Sequence, residues 1–186
     1  MRCLLLGTLV LTVGPIVLAA PMVGVLSDPW AAWRFAERSP LGIDVGGPAA
    51  VVDVPPVAHG FVDDRQRYLL ARAAGFDAQE AVTATAVSIA EDGSGDPAAL
   101  SGTNSNGTRD FCLMQVNSRW WARFGGMLAL ADPLTCFKAA FVIRGIQGWC
   151  AWSTYLASCG TGHTGTFAMF LLRAQAAARR VIGGQA

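Results

Sequence analysis

Glu91 is placed where a carboxylic acid could keep its proton near neutral pH. It follows an apolar, alanine-rich stretch and falls in the last turn of the helix that this stretch predicts. The carbonyl end of a helix disfavours negative charge, and burial against apolar neighbours disfavours it further. Both effects favour the protonated form, which a general acid needs in order to protonate the leaving oxygen of a glycosidic bond. A solvated glutamate at a frayed helix end is the alternative interpretation.

Amide and aromatic side chains downstream of Glu91 are typical of carbohydrate binding. Gln115 and Asn117 flank an apolar residue, and Trp120 and Trp121 begin three positions after Asn117. A second aromatic group comes later, at Trp149, Trp152 and Tyr155. Amides can hydrogen-bond sugar hydroxyls and aromatic rings can stack on sugar faces, although burial in a core explains each tryptophan equally well. Taken together, these residues predict a sugar-binding cleft.

Three aspartates could supply a second carboxylate, which a hydrolase usually needs opposite its acid. Asp92, directly after Glu91, could raise the proton affinity of its neighbour or point to solvent. Asp96 and Asp110 have ordinary capping or turn interpretations as well.

Local signals predict the helices that must position these residues. Asp63 or Asp64 can cap a first helix that Gly75 ends, and the spacing of Asp77 and Glu80 is that of a capping box for the helix leading to Glu91. Further helices are expected at 118–124, from Asp132-Pro133 onward, and at 166–182. The turn-rich stretch before residue 110, with Asn106-Gly107, predicts a small β-hairpin or an ordered loop. The expected fold is mostly α, with this small β element beside the active-site cleft.

The two ends of the chain differ in composition. Residues 1–26 are apolar after Met1-Arg2 and predict a signal peptide or a membrane anchor, two alternatives that the sequence leaves open. Residues 27–60 predict a Pro/Gly-rich linker, and residues 61–186 the folded domain. Either N-terminal alternative predicts an extracytoplasmic protein, secreted or anchored to the membrane. The net charge of +1 gives no indication of nucleic-acid binding.

Four cysteines fall in the predicted domain: Cys112, Cys136, Cys150 and Cys159. An even number in an exported domain predicts two disulfides, whose pairing the sequence leaves open. A zinc site is the alternative, but the spacings match no common ligand pattern. We therefore expect disulfides, with no metal and no organic cofactor.

Three blocks in order resemble the lysozyme-like lytic transglycosylase superfamily, including its phage-tail and conjugation-associated members. They are Ser88-Ile89-Ala90-Glu91 with the following Asp96-Pro97, the stretch 104–117 ending in Leu113-Met114-Gln115-Val116-Asn117, and Asp132-Pro133 with Trp149 and Trp152-Ser153-Thr154-Tyr155. Two departures from the family pattern are Asp92, where serine is usual, and Cys112, where glycine is usual. If that glycine adopts a positive φ, a disulfide could hold Cys112 there instead.

The resemblance implies a lysozyme-like α+β fold with Glu91 as the catalytic acid, which later acts as base. Gln115, Asn117 and Tyr155 would line the saccharide cleft and Met114 its wall, while Trp120 and Trp149 are the aromatic residues that we expect to bind substrate. The substrate would be the β-1,4 bond between N-acetylmuramic acid and N-acetylglucosamine in peptidoglycan.

The resemblance favours a lytic transglycosylase, in which the muramoyl 6-hydroxyl closes onto its own anomeric carbon. A hydrolytic lysozyme is the nearest alternative. A non-catalytic glycan-binding or assembly subunit is the other, and the residues Asp92 and Cys112 favour it. Expected partners are peptidoglycan glycan strands, a membrane tether, and a conjugation, secretion or phage apparatus.

Overall fold

The structure, a computed structural model, describes residues 60–184, and these form a mostly helical fold with one small sheet. The predicted signal peptide or anchor and the predicted linker up to residue 59 lie outside the described residues. The helices are α1 (Asp64–Ala74), α2 (Ala78–Glu91), α3 (Ser118–Trp121), α4 (Gly126–Leu130), α5 (Pro133–Gln147) and α6 (Leu171–Gly183). The strands are β1 (Asp110–Phe111) and β2 (Val116–Asn117). None of the helices between residues 60 and 184 combines the length and the apolar character that a membrane span requires.

The first two helices begin as their capping signals predict. The Asp63 carboxylate accepts a hydrogen bond from the backbone N–H of Gln66, whose side chain accepts one from the N–H of Asp63. Asp77 and Glu80 form the same reciprocal pair at the start of α2. Each pair satisfies two backbone donors that would otherwise lack partners. The capping box therefore fixes where α2 starts. The connection from α1 is short and passes through Gly75, which adopts a positive φ.

Helix α2 is the central helix of the described residues. It packs against α1 and α6 and against a 3₁₀ segment, Thr166–Phe170. Its side chains are buried without interruption from Ala81 to Ile89. The small alanine side chains let neighbouring helices approach closely. The buried Thr85 hydroxyl has a hydrogen-bond partner within the helix, since it donates to the carbonyl of Ala81 at 2.7 Å. After Ile89 the helix leaves the core, and its last two residues, Ala90 and Glu91, are partly exposed.

The small β element is present, but its paired strands come after the predicted turn. β1 and β2 are antiparallel, with Asp110 opposite Asn117 and Phe111 opposite Val116. The Asn106-Gly107 segment forms an ordered loop before them, closed by the hydrogen bond from the Asn104 N–H to the Thr108 carbonyl. Of the two predicted alternatives for the stretch around Asn106-Gly107, the ordered loop is the one found there, and the hairpin follows it, with its turn at residues 112–115.

The predicted last helix is divided in two. Residues Thr166–Phe170 form a 3₁₀ segment, and the α-helix begins only at Leu171. The tighter segment places Phe167 in the core against Tyr155, with ring centroids 4.6 Å apart.

A buried ion pair joins α1 to the end of α2. The Arg67 guanidinium lies 3.5 Å from the Asp92 carboxylate, and the two side chains are 2% and 6% exposed. Arg67 also donates to the Ser88 hydroxyl and to the carbonyl of Asp92, both at 2.7 Å. Burial lowers the pKa of Arg67, although the Asp92 charge opposes that shift. This network fixes the residue directly after Glu91.

Asp92→Asn should lower the free energy of unfolding by about 3 kcal/mol, because it leaves the buried Arg67 charge without its counterion. The matched control is Asp64→Asn, whose partner Arg173 is 54% exposed, so that its loss should cost less than about 1 kcal/mol. Urea unfolding of the three proteins measures the difference. Equal stability of Asp92→Asn and the wild type would contradict this role.

Candidate active site

A cleft of about 630 Å³ lies beside the sheet, and Glu91 is in its wall. One side comes from the segment that contains the sheet, and the other from α5 and the loop that follows it. The lining side chains that matter for the chemistry are Glu91, Asn104, Asp110, Gln115, Asn117 and Trp120. Because the buried helix α2 ends at the cleft, the side chain of its last residue, Glu91, lies between the core and the cleft.

The Glu91 carboxyl is largely shielded from water. Burial raises the pKa of Glu91, and the charge of Asp110 adds to that shift. Hydrogen bonds from Thr154 oppose it: the hydroxyl donates to Glu91 Oε1 at 2.7 Å, and the backbone N–H donates to the same oxygen at 3.4 Å. The increase in pKa favours the protonated form, as the expected burial against apolar neighbours predicts.

Asp110 is in a different environment from Glu91. Its Oδ1 accepts a hydrogen bond from the Asn117 amide at 2.7 Å, and its Oδ2 accepts one from the Asn104 amide at 2.8 Å. Both oxygens thus act as acceptors, as those of an ionised carboxylate do. The Thr108 hydroxyl lies within 3.0 Å of both amide nitrogens and helps to orient them. The cleft therefore contains two carboxyl groups, one desolvated and one fixed by amides.

Asp92 fits neither of its two predicted roles. Its side chain is buried and points away from the cleft toward Arg67, and it accepts hydrogen bonds from Ser94 and Gly95. It therefore stabilises the turn after α2 instead of facing solvent, and it is not among the groups that raise the pKa of Glu91.

The two predicted disulfides are present and join Cys112 to Cys136 and Cys150 to Cys159. Cys112 has a φ of +67°, the conformation that glycine adopts most easily. Its disulfide ties the turn between β1 and β2 to α5. Gln115, in the same turn, also has a positive φ of +44°, and its amide donates to the carbonyl of Cys112 at 2.9 Å. The strained turn is therefore held by a covalent bond and by its own side chain.

Of the six predicted substrate-binding residues, three line the cleft and three lie in the core. Gln115, Asn117 and Trp120 line it, although the Gln115 and Asn117 amide nitrogens already bond within the protein. The other three, Met114, Trp149 and Tyr155, are at most 5% exposed. Their burial follows from aromatic packing, since the Trp149 ring stacks on Phe76 and lies 5.9 Å from Tyr155. None of these three is among the residues that line the cleft, and a direct substrate contact for them stays a prediction.

Burial also affects the Tyr155 hydroxyl, since desolvation raises the pKa of Tyr155 to about 12.

Sequence reasoning missed the residues that act through long-range contacts. In the sequence, Thr154 belongs to a motif and Asn104 to a turn-rich stretch, and no local signal distinguishes Arg67. His163 also lines the cleft and bonds the carbonyl of Cys150 at 3.0 Å. Within residues 60–184, no group of three or more His, Cys, Asp and Glu side chains could hold a metal ion.

Two comparisons with known proteins indicate the family to which this domain belongs. A family model described as a lysozyme like domain matches residues 68–154, a span from α1 to Thr154 that includes Glu91 and Asp110. The milk isozyme of lysozyme C from Canis lupus familiaris is 30% identical over 88 residues, an alignment that covers 33% of this chain and 67% of that protein. The chain belongs to the lysozyme-like superfamily. The presence of a lysozyme-like domain supports the assignment of this protein as a glycosidase-type enzyme.

The strained turn of the lysozyme-like domain gives a stability test. Replacing both Cys112 and Cys136 by alanine should lower the free energy of unfolding by about 3.5 kcal/mol, because a closed loop across 24 positions is lost. The pair Cys112→Gly with Cys136→Ala should lose about 1 kcal/mol less, since glycine has no Cβ to oppose the positive φ. Thermal and urea unfolding measure both values. If the alanine pair is as stable as the glycine pair, positive φ imposes no cost at position 112.

Proposed function

We propose that this lysozyme-like domain hydrolyses the β-1,4 bond between N-acetylmuramic acid and N-acetylglucosamine in peptidoglycan. One observation carries the proposal: the cleft contains both a desolvated acid, Glu91, and an amide-held carboxylate, Asp110. Two carboxyl groups in different environments, one placed to donate a proton and one to face the developing positive charge, are usual in a glycoside hydrolase.

In the proposed mechanism Glu91 donates its proton to the bridging oxygen, and the bond from that oxygen to the anomeric carbon breaks. Positive charge develops on the sugar ring, and Asp110 stabilises it electrostatically or by bonding to the anomeric carbon. Glu91, now ionised, takes a proton from a water that attacks the same carbon, and any bond from that carbon to Asp110 breaks as the water adds. The products are a free alcohol and a reducing sugar end, and Glu91 regains its proton. Lysozyme is the type case of this division of labour.

The lytic transglycosylase that the sequence favours is the second candidate. Glu91 and its hydrogen bonds to Thr154 would suffice for it, because the muramoyl 6-hydroxyl replaces water and needs no second carboxylate. The position of Asp110 in the cleft ranks hydrolysis above it, since a transglycosylase gives that group no necessary role.

The structure weakens the case for a non-catalytic subunit. That alternative rests on Asp92 and Cys112. Asp92 has a structural role in the ion pair with Arg67, and Cys112 keeps a positive φ with the help of its disulfide. Neither residue removes the acid or obstructs it.

The proposed setting is extracytoplasmic. Two disulfides suit an oxidising compartment, and peptidoglycan lies outside the cytoplasmic membrane. Export by residues 1–26, a tether at 27–60 and an association with a conjugation, secretion or phage apparatus stay predictions.

Digestion of purified peptidoglycan separates the two reactions by their products. Hydrolysis leaves reducing muramic acid ends, whereas transglycosylation leaves 1,6-anhydro ends that lack one water, and mass spectrometry distinguishes them. We expect reducing ends from the wild type. Anhydro ends alone would contradict hydrolysis, and no release of fragments would contradict both activities.

Glu91→Gln should reduce the rate of fragment release by about 10²–10⁴-fold, because the amide cannot donate the proton. Glu80→Gln is the matched control, since glutamine can preserve the capping box at the start of α2. Its activity should stay close to that of the wild type. Full activity of Glu91→Gln would eliminate Glu91 as the acid.

Asp110→Asn tests the second carboxylate. A hydrolase should lose at least about 10²-fold in kcat, because the positive charge in the transition state loses its partner. A transglycosylase should lose much less. Asp96→Asn is the control, since Asp96 is exposed and asparagine can still accept the hydrogen bond from the Ala98 N–H. A wild-type kcat in Asp110→Asn would contradict the role of Asp110 and would favour the transglycosylase mechanism.

A further inference from the structure

Both hydrogen bonds from Thr154 to Glu91 end on the same oxygen. The hydroxyl donates to Oε1 at 2.7 Å, and the backbone N–H points at Oε1 from 3.4 Å. Among the described residues, the other oxygen, Oε2, has no hydrogen-bond partner, and it is not one of the fully buried unsatisfied atoms. Thr154 therefore makes the two oxygens of one carboxyl inequivalent.

A backbone N–H can only donate a hydrogen bond, so it identifies Oε1 as an acceptor. A proton on Oε1 would face both the N–H and the hydroxyl of Thr154. A proton on Oε2 meets neither of them, and it is reachable from the cleft that Glu91 lines. The contact geometry thus favours one position for the acidic proton.

Thr154 is itself held firmly by its neighbours in the loop after α5. On one side, the Trp152 indole N–H donates to the carbonyl of Met114 at 2.7 Å in the core. On the other, the Thr154 carbonyl accepts from the N–H of Phe167 at 3.0 Å. The Cys150–Cys159 disulfide closes the loop around it. A donor fixed from both sides can hold a carboxyl in one orientation.

We infer that Thr154 is a positioning residue that keeps Oε1 of Glu91 as an acceptor and so places the transferable proton on Oε2, toward the bridging oxygen of the substrate. The inference rests on the proposed function, in which Glu91 is the general acid. It adds a residue that touches neither the sugar nor the scissile bond and acts through Glu91.

Few other charged groups could produce the same effect. Asp110, from β1, is the charge that acts on Glu91, and it raises the pKa of the acid. Asp92 is turned toward Arg67, and His163 lines the wall of the cleft, where it bonds the carbonyl of Cys150. The hydrogen bonds of Thr154 lower the pKa of Glu91, because they favour the ionised form. Removing them must therefore raise it.

The test compares Thr154→Val, which removes the hydroxyl and keeps the shape, with Thr154→Ser, which restores a hydroxyl. For Thr154→Val we expect kcat to fall about tenfold and KM to change little. The fall is smaller than the total rate enhancement from general acid catalysis, because Glu91 itself remains. The alkaline limb of its pH–kcat profile should move to higher pH, because the pKa of Glu91 rises. Thr154→Ser should return both toward the wild type. Thr103→Val, at an exposed residue outside the cleft, is the matched control.

A readout that needs no activity separates this inference from the proposed function. Carboxyl ¹³C NMR of selectively labelled protein follows the titration of Glu91 in each variant, and the signal is assigned with Glu91→Gln. A higher pKa in Thr154→Val with reversion in Thr154→Ser supports the inference, even if the wild type cleaves no peptidoglycan and the proposed function fails. An unchanged Glu91 titration in Thr154→Val overturns it, including the case in which kcat falls with an unaltered pH profile, since the role would then be structural only.

Discussion

The structure depends on one constraint: the last carboxyl of a buried helix must emerge into a cleft without being fully solvated. Helix α2 is packed with alanine and threonine along its length, so it can lie at the centre of the domain. It ends at Glu91, where burial raises the pKa of the carboxyl. The cost of burying this group is small while it keeps its proton, and that is the state in which a general acid is useful.

Two sets of contacts keep that carboxyl in place from opposite directions. On the core side, Arg67 and Asp92 fix the turn directly after Glu91. On the cleft side, Thr154 meets Oε1 from a loop that a disulfide closes. Asp110 completes the site in a polar setting, with one amide on each of its oxygens. Glu91 and Asp110 both carry a carboxyl group, but the two groups have different environments within one cleft. This difference allows them to take different roles.

Local features of the fold were predictable because local interactions decide them. The caps at Asp63 and Asp77 and the proline that starts α5 depend on neighbours within a few residues. Which aromatic residues face the cleft was not predictable, because Trp149 and Tyr155 are buried by partners that are distant in sequence. The roles of Arg67 and Thr154 likewise depend on contacts across 25 and 63 positions. The positive φ of Cys112 was anticipated only through the family resemblance.

The most direct test of the account is the pH dependence of stability in the wild type and in Glu91→Gln. An acid with a raised pKa in the folded state binds its proton more tightly there than in the unfolded chain, so wild-type stability is lost as the pH rises from near the ordinary value of 4.5 through the raised pKa. Urea unfolding across this range should show Glu91→Gln gaining stability relative to the wild type as the pH increases. A difference between the two proteins that does not change with pH would contradict a desolvated, protonated Glu91.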